Sequence, residues 1–336
     1  MKLFPRLTTA AAMVVALAAP ALADERTNPE TLYFGILATE NSTAQREKWG
    51  PFLEDLQASL GIPVEPFFAA DYAGVIEGMR FDKVDVVWYG NKSGMVAVDR
   101  AGAEIFAQTT EANGDQGYWS VMVTHKDSDL TYEDVISCGK KIDFGIGDPN
   151  STSGFLVPST FVFAQNGINP RDCFKTVRNA NHETNLISVA TKRVDAAVAS
   201  SGGLYHRLKT AKPEMFEQIK EIWRSPLIAS DPMAWRPELD EELKAKIMYF
   251  FMTYGRLGTD EEVKAAREKL AIIAMGPFIP SSNAQLWPFY EMDQIRMRMS
   301  IEGDETFSDE EKAEKIAEID AKIEEIRAGA AARPRK

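Results

Sequence analysis

The chain has 336 residues, a formal net charge of −12 at neutral pH, and the apolar and charged fractions of an ordinary globular protein. An acidic chain repels nucleic acid and anionic membrane surfaces, so no nucleic-acid partner is expected. The length favours two domains or lobes with a sizeable core.

The first 23 residues have the layout of a secretory signal peptide. Lys2 and Arg6 form a positive start, residues 7–19 are largely apolar, and Ala21-Leu22-Ala23 is a small-x-small cleavage site. The apolar run is shorter than the ~20 residues of a spanning helix. We therefore expect cleavage, export to the periplasm and a mature net charge of −14.

Strands and helices then alternate in two successive units. The predicted elements of the first unit are a strand at 32–37, a helix at 44–60, a strand at 64–69, a helix at 72–80 and a strand at 84–88. A strand at 116–125 leaves this unit. The second unit has a helix at 130–137, a strand at 142–147, a helix at 153–166 kinked at Pro158, a strand at 176–179, a helix at 184–191 and a strand at 196–199.

This alternation predicts an α/β fold with two mostly parallel, doubly wound sheets. A strand at 219–228 is expected to return to the first unit, and the chain is largely helical from residue 240. Two extended segments that cross between the two units form a hinge. The cleft between the units lies at the carboxyl ends of the strands, where such sheets bind ligands. The expected domains are the signal peptide at 1–23, lobe 1 at 24–120 and 229–300, lobe 2 at 121–228, and a C-terminal helix and tail at 301–336.

The C-terminal segment carries a helix signal of its own. Ser308 and Glu311 form a capping box. An apolar stripe follows at coiled-coil-like spacing, formed by Ile316, Ile319, Ile323 and Ile326. The stripe either packs on its own lobe or supports a homodimer.

Two cysteines, Cys138 and Cys173, are the only ones in the chain. An even count in an oxidising compartment favours a disulfide, and each cysteine comes just before a predicted strand of the same lobe. A buried thiol pair is the alternative. No metal ligands lie near them at a useful spacing, and no metal or cofactor is expected.

The segment at 147–154, GDPNSTSG, lies between a predicted strand and a predicted helix. Asn150 or Ser151 caps that helix, whose free N–H groups and dipole attract phosphate-like anions. The hydroxyls of Ser151, Thr152 and Ser153 add neutral donors. The segment therefore predicts an anion site, although an ordinary capped helix has a similar start.

Four further candidates lie at junctions that face the cleft: Tyr72, Tyr118, His182 and Asp231. Each also has a structural interpretation, as a packed aromatic, a core histidine or a turn residue. Motifs for nucleophilic, metal-dependent or nucleotide-dependent catalysis are missing, and Ser153 with His182 is the only conceivable catalytic pair. The sequence therefore predicts a binding protein rather than an enzyme.

Several longer segments resemble the phosphonate-binding periplasmic component of phosphonate ABC transporters. They are FGILATE (34–40), FFAADYAG (67–74), GMRFDKVDVVWYGN (78–91), GYWSV (117–121), GDPNSTSGFLVP (147–158), NHETN (181–185) and SPLIASDP (225–232). The resemblance implies the two-lobed periplasmic-binding type II fold. It also implies that Ser151, Thr152 and Ser153 hold the phosphonate oxygens.

The same resemblance implies that Tyr72 and Tyr118 correspond to two tyrosines of the family's cleft and that His182 corresponds to its histidine. It also implies that Asp231 is one acid of an amine-recognising pair. The second acid of the pair falls at Gly202. A missing carboxylate lowers affinity for an ammonium group by about 10–100-fold. We therefore expect a weakened preference for 2-aminoethylphosphonate, which Gly202→Glu should strengthen.

Taken with the signal peptide, the resemblance predicts a solute-binding protein that captures a phosphonate in the cleft. A membrane permease of an ABC importer is the expected partner. A binder of phosphate, phosphite or another small oxyanion is the main alternative. A sensory docking role and an exported hydrolase are the others.

Overall fold

The computed structural model describes residues 27–332. The predicted signal peptide lies outside this range. Within it, no helix combines the length and the apolar character needed to cross a membrane.

The strands, in chain order, are β1 Leu32–Ile36, β2 Val64–Phe68, β3 Val86–Trp88, β4 Glu104–Glu111, β5 Gly117–Tyr118, β6 Ser120–His125, β7 Asp143–Ile146, β8 Thr176–Asn179, β9 Ala196–Ser200, β10 Ile219–Arg224, β11 Ile228–Ala229, β12 Pro232–Trp235 and β13 Met275–Pro280.

The helices are α1 Ser42–Leu60, α2 Tyr72–Arg80, α3 Asn91–Ala101, α4 Tyr132–Ile136, α5 152–166, α6 Pro170–Cys173, α7 His182–Ala190, α8 203–211, α9 Pro213–Phe216, α10 Glu241–Thr253, α11 Asp260–Ile272, α12 Trp287–Glu302 and α13 Asp309–Ala331. Both α5 and the first part of α8 contain wide π-helical turns.

Two sheets form the two lobes of the predicted α/β fold. The first has the strand order β13-β4-β12-β3-β1-β2, and the second has the order β10-β6-β9-β7-β8. In the first sheet β1 pairs in parallel with β2 and β3, as expected from the alternation of strands with α1 and α2. The returning strand β12 is antiparallel to both of its neighbours.

The prediction that a strand at 219–228 returns to the first lobe was wrong in one respect. Its first part, β10, does not return to the first lobe but pairs antiparallel with β6 at the edge of the second sheet. The strand ends before Ser225 and Pro226, because proline lacks the N–H that a continuing ladder of hydrogen bonds requires. The return is made by β11 and β12 instead.

The two crossings between the lobes pair with each other. β5 and β11 form a two-stranded antiparallel ribbon in which Tyr118 lies opposite Ile228. A side chain at Gly117 would place its Cβ 2.6 Å from the carbonyl oxygen of Ile228, so only glycine fits there. The hinge of the fold is therefore a short hydrogen-bonded ribbon.

A disulfide joins Cys138 and Cys173, whose Cα atoms lie 4.5 Å apart. It links the loop after α4 to the end of α6, and Cys173 belongs to the apolar core of the second lobe. The bond closes a loop with a sequence separation of 35 residues.

The C-terminal helix α13 packs along α12. Ile319, Ile323 and Ile326 of the apolar stripe are buried, and Ile316 is half-buried. Arg298 of α12 donates to Asp320 of α13 at 2.8 Å. The stripe is thus used within the chain, the first of the two alternatives that the sequence leaves open.

Candidate ligand-binding site

The cleft contains a small cavity, in which about 50 Å³ is available to the centres of water-sized molecules. A water molecule needs roughly 10–15 Å³ on this measure, so the cavity suits a small ligand. All the candidates from the sequence line it, namely Tyr72, Tyr118, Ser151, Thr152, Ser153, His182 and Asp231. Residues far apart in the chain therefore converge at one place.

The convergence follows from the topology. Tyr72 opens the helix after β2, Ser151 comes soon after β7, and His182 opens the helix after β8. The carboxyl ends of parallel strands share one sheet edge, and the two edges face each other across the cleft. Asp231 reaches the same place from the opposite direction, because it immediately precedes the antiparallel β12.

Ser151 is the N-cap of α5. Its Oγ accepts a hydrogen bond of 3.0 Å from the N–H of Gly154, and the Ser151 side chain is buried. A Cβ on Gly147 would lie 2.6 Å from the Cα of Gly154, so the loop closes tightly around the helix start. The remaining N–H groups of the first turn have no carbonyl four residues earlier within the helix. This geometry suits an anion at the positive end of the helix dipole.

Thr152 connects the two lobes. Its Oγ1 accepts a hydrogen bond of 2.8 Å from the backbone N–H of Lys92, at the start of α3 in the first lobe. The hydroxyl proton of Thr152 remains available to a ligand because the oxygen serves as the acceptor in this contact. Ser153 is equally buried, and its carbonyl accepts a hydrogen bond of 2.6 Å from Ser120 Oγ.

His182 is a neutral donor. Burial, and next the positive charge of Arg207, lower the pKa of His182 to about 3. Its Nδ1 accepts a hydrogen bond of 3.2 Å from the backbone N–H of Ser200, so the proton of the neutral ring is on Nε2. Nε2 lies 3.5 Å from Ser151 Oγ. The ring therefore presents an N–H to the region around the helix start.

The opposite side of the cavity carries acceptors. Tyr118 Oη donates a hydrogen bond of 2.9 Å to Asp231 Oδ1. Burial raises the pKa of Asp231 to about 6, opposed by that hydrogen bond, by Arg207 and by the indole N–H of Trp88. That N–H makes no hydrogen bond of ordinary geometry with the described residues, although it is near enough to lower the pKa of Asp231.

Tyr72 is an uncharged donor at neutral pH. Burial raises the pKa of Tyr72 above its usual range, and the charges of Asp231 and Asp148 raise it further. Burial and Asp231 act in the same direction on the pKa of Tyr118. Both phenols therefore keep their protons.

The sequence did not identify two charged residues of the cavity, Glu111 and Arg207. Glu111 ends β4, a strand that was not predicted, just before the turn at Asn113 and Gly114. Burial raises the pKa of Glu111 to about 7, and the charge of Asp231 adds to the shift. The sequence signal that could have identified Glu111 is an acidic residue at the end of a first-lobe strand.

Arg207 belongs to α8 of the second lobe. Its guanidinium lies 5.4 Å from the ring centroid of Trp88, and its Nε is 4.0 Å from Glu40 Oε1. Both partners belong to the first lobe. Arg207 thus contributes to a closed cleft, together with the hydrogen bond of 3.0 Å from the N–H of Asn41 to Glu183 Oε2.

Comparisons with known proteins identify the family of the chain. The family model described as the periplasmic substrate-binding protein of phosphonate ABC transporters matches residues 34–286. The chain belongs to this family. As a family member it is a periplasmic binding component that works with the permease of an ABC transporter.

Individual relatives are similar over most of their length. A phosphonates-binding periplasmic protein of Escherichia coli K12 is 45% identical over 311 residues, which are 92% of this chain and 89% of that protein. A binding protein component of an ABC phosphonate transporter from Pseudomonas aeruginosa has a TM-score of 0.86 and 42% identity, covering 90% of this chain and 98% of that one. PhnD1 of Prochlorococcus marinus, solved with methylphosphonate, has the same fold, with a TM-score of 0.68 and 20% identity over 79% of this chain and 97% of that one.

Proposed function

We propose that this protein captures a phosphonate anion between its lobes and delivers it to the permease of an ABC importer. One observation carries the proposal. The hydroxyls of Ser151, Thr152 and Ser153, at the start of α5, share a single cavity with Tyr72 and His182. The relative described as a phosphonates-binding periplasmic protein, with 45% identity, supports the same ligand class.

The anion is held by neutral donors. His182 and Tyr72 carry protons without carrying charge, and the helix start supplies partial positive charge. Hydrogen bonds from such groups to an ionised acceptor are the strong kind. Three hydroxyls on one turn suit the three oxygens of a phosphonate, whose fourth substituent then points away from α5.

Closure follows from contacts on both lobes. A ligand favours the closed form only if it interacts better with that form than with the open one. Ser151, Thr152, Ser153 and His182 belong to the second lobe, and Tyr72 belongs to the first. With lobe 2 at 121–228, as proposed from the sequence, the boundary between the lobes separates Tyr72 from the other four residues.

We assign no catalytic step to the site. A hydrolase would need His182 to remove a proton from a serine. The pKa of about 3 makes this imidazole a very weak base at neutral pH, and its Nε2 already carries the proton. The same features serve a binding site well.

Two further assignments complete the proposal. The segment at 1–23 is removed on export, which intact-mass measurement of periplasmic protein would check. A homodimer through α13 is not needed, since three isoleucines of its stripe are already buried within the chain. Sedimentation of the mature protein tests this, with a monomer as the expected result.

Thermal unfolding with methylphosphonate, ethylphosphonate, phosphite and phosphate tests the function. Ligand at 100 times its Kd stabilises by about 2.7 kcal/mol, which gives a readily measured increase in Tm. We expect the two phosphonates to raise Tm more than phosphate or phosphite. Stabilisation by phosphate or phosphite alone would favour the oxyanion alternative, and no stabilisation by any of the four would contradict the proposal.

A further inference from the structure

The loop between β1 and α1 meets the start of α7 across the cleft. Glu40 and Asn41 belong to this loop in the first lobe, and Glu183 belongs to the second lobe. The N–H of Asn41 donates to Glu183 Oε2 at 3.0 Å, and the N–H of Glu183 donates to the carbonyl oxygen of Thr39 at 3.3 Å. Two hydrogen bonds therefore tie together strand-to-helix junctions of different lobes.

A charged contact between the lobes lies beside these hydrogen bonds. Arg207 Nε of the second lobe is 4.0 Å from Glu40 Oε1 of the first, and the two side chains are 19% and 9% exposed. Because both side chains are largely shielded from water, salt screens their attraction less than that of a pair on the open surface. The contact therefore favours the closed arrangement of the lobes.

Each of the two acids also has a basic partner in its own lobe. Lys48 pairs with Glu40, and Lys212 pairs with Glu183. Burial acts to raise the pKa of Glu183, but hydrogen bonds from Lys212 and from the N–H of Asn41 outweigh it and hold that pKa below its usual value. An acid that keeps its own base stays paired when the lobes separate. Closure then adds contacts between the lobes without burying an unpaired charge, which would be costly.

The two acids adjoin the ligand cavity without lining it. Among the described residues that line that cavity, neither Glu40 nor Glu183 is found. Both acids instead line a second, smaller cavity beside it, and His182 and Arg207 line the two cavities in common. A ligand in the first cavity and the contacts of the two acids thus lie on different sides of His182.

We propose that Glu40 and Glu183 form a latch that stabilises the closed lobes and so sets the ligand affinity without touching the ligand. The latch consists of the contacts of Glu40 with Arg207 and of Glu183 with Asn41 and Thr39. The inference rests on the proposed function, because closure around a phosphonate is what the latch stabilises. The apparent Kd of a ligand that binds the closed form equals its intrinsic Kd divided by the fraction of protein that is closed. Loss of the latch therefore weakens every ligand by the same factor.

The test is isothermal titration calorimetry of Glu40→Gln, Glu183→Gln and the double variant with methylphosphonate and ethylphosphonate. Each single variant should weaken both ligands by about 3–10-fold, with the same factor for the two, and the double variant should weaken them further. Asp143→Asn is the matched control. The Asp143 side chain is 24% exposed, against 21% for Glu183, and its partner Lys175 belongs to the same lobe. This variant should leave both Kd values unchanged.

Thermal unfolding without ligand shows that each variant is folded. The latch variants should unfold at a Tm no lower than that of Asp143→Asn, because the latch joins two lobes that are each folded around a core of their own. Small-angle X-ray scattering at saturating ethylphosphonate should give the latch variants the same radius of gyration as the native protein, since the ligand still closes the lobes.

Native affinity in the double variant would overturn the inference while leaving phosphonate capture intact. Weakening by different factors for the two ligands would overturn it too, since the acids would then act through the cavity rather than through closure. An equal loss of affinity in Asp143→Asn would mark a general effect of removing a charge from the second lobe. Failure of both phosphonates to bind the native protein would contradict the proposed function itself.

Discussion

The backbone N–H of Lys92 donates to the hydroxyl oxygen of Thr152 across the cleft, at 2.8 Å. This contact joins the start of α3 in one lobe to the start of α5 in the other. It fixes the hydroxyl as an acceptor towards Lys92 and leaves its proton for the anion. Thr152 is thus a contact between the lobes, and we propose that it also donates to the ligand.

Thr152→Val should lower phosphonate affinity by about 10–100-fold, because it removes a hydrogen bond to a charged ligand and the contact with Lys92. Thr152→Ser should retain most of the affinity. Thr160→Val is the matched control, since Thr160 is also buried on α5 but donates to Leu156 rather than lining the cavity. Calorimetry with ethylphosphonate measures all three. Equal losses in the Thr152→Val and Thr160→Val variants would contradict the assigned role.

The protonation state of His182 is directly observable. Burial holds the pKa of His182 near 3, so its ring should stay neutral from pH 8 down to pH 5. Nitrogen-15 NMR of the histidine rings should show a proton on Nε2 and a bare Nδ1, with the exposed His206 as an internal comparison. An imidazolium spectrum for His182 at pH 6 would contradict the neutral-donor account.

Glu111 should make the stability of the ligand-free protein depend on pH. Burial raises the pKa of Glu111 from 4.5 to about 7. The contribution of this group to the free energy of unfolding is therefore fully present below pH 4.5 and is lost as the pH rises through 7. Glu111→Gln should therefore raise Tm at pH 8, by an amount on the order of 2 °C, and change it little at pH 5.

The exposed Glu268 provides the control for this measurement, because Glu268→Gln removes the same charge from a solvated helix face. Its Tm should change little at either pH. A stabilisation by Glu111→Gln that is the same at pH 5 and pH 8 would show that ionisation of Glu111 is not its cause. Asp231, Asp115 and Arg207, which surround Glu111, stay unchanged in the comparison.

The disulfide between Cys138 and Cys173 should stabilise the second lobe. Its sequence separation of 35 residues corresponds to about 3–4 kcal/mol of loop-closure entropy removed from the unfolded chain. Replacing both cysteines by serine should lower the free energy of unfolding in urea by about that amount. The Kd for ethylphosphonate at low temperature should stay the same, because neither cysteine lines the cavity. A weakened Kd in a fully folded variant would contradict this separation of roles.

Local signals predicted much of the fold and part of the site. The helix Tyr72–Arg80 was predicted with its observed ends because Asp71 is a side-chain cap, accepting from the N–H of Gly74 at 2.8 Å. The hydroxyl run at 151–153 is likewise a local feature of one strand-to-helix junction. All the proposed ligand residues share the property of lying at such junctions or crossings.

Glu111 and Arg207 were not predicted, although Glu111 lies at the end of a first-lobe strand, as an acid that could have been noticed. Glu111 lines the cavity beside Gly202, which is 91 positions away in the chain and in the other lobe. Arg207 lies inside a helix with wide turns, where its spacing gave no sign that it reaches Trp88. Such relationships depend on how the lobes meet, and local periodicity carries no information about that.

The location of the ligand tests the central claim most directly. A crystal structure with ethylphosphonate should place the phosphonate oxygens within about 3 Å of the side-chain oxygens of Ser151, Thr152 and Ser153. The ethyl group should then point towards Glu111 and Asp231. A phosphonate bound against Arg207, or outside this cavity, would contradict the account of anion capture by neutral donors.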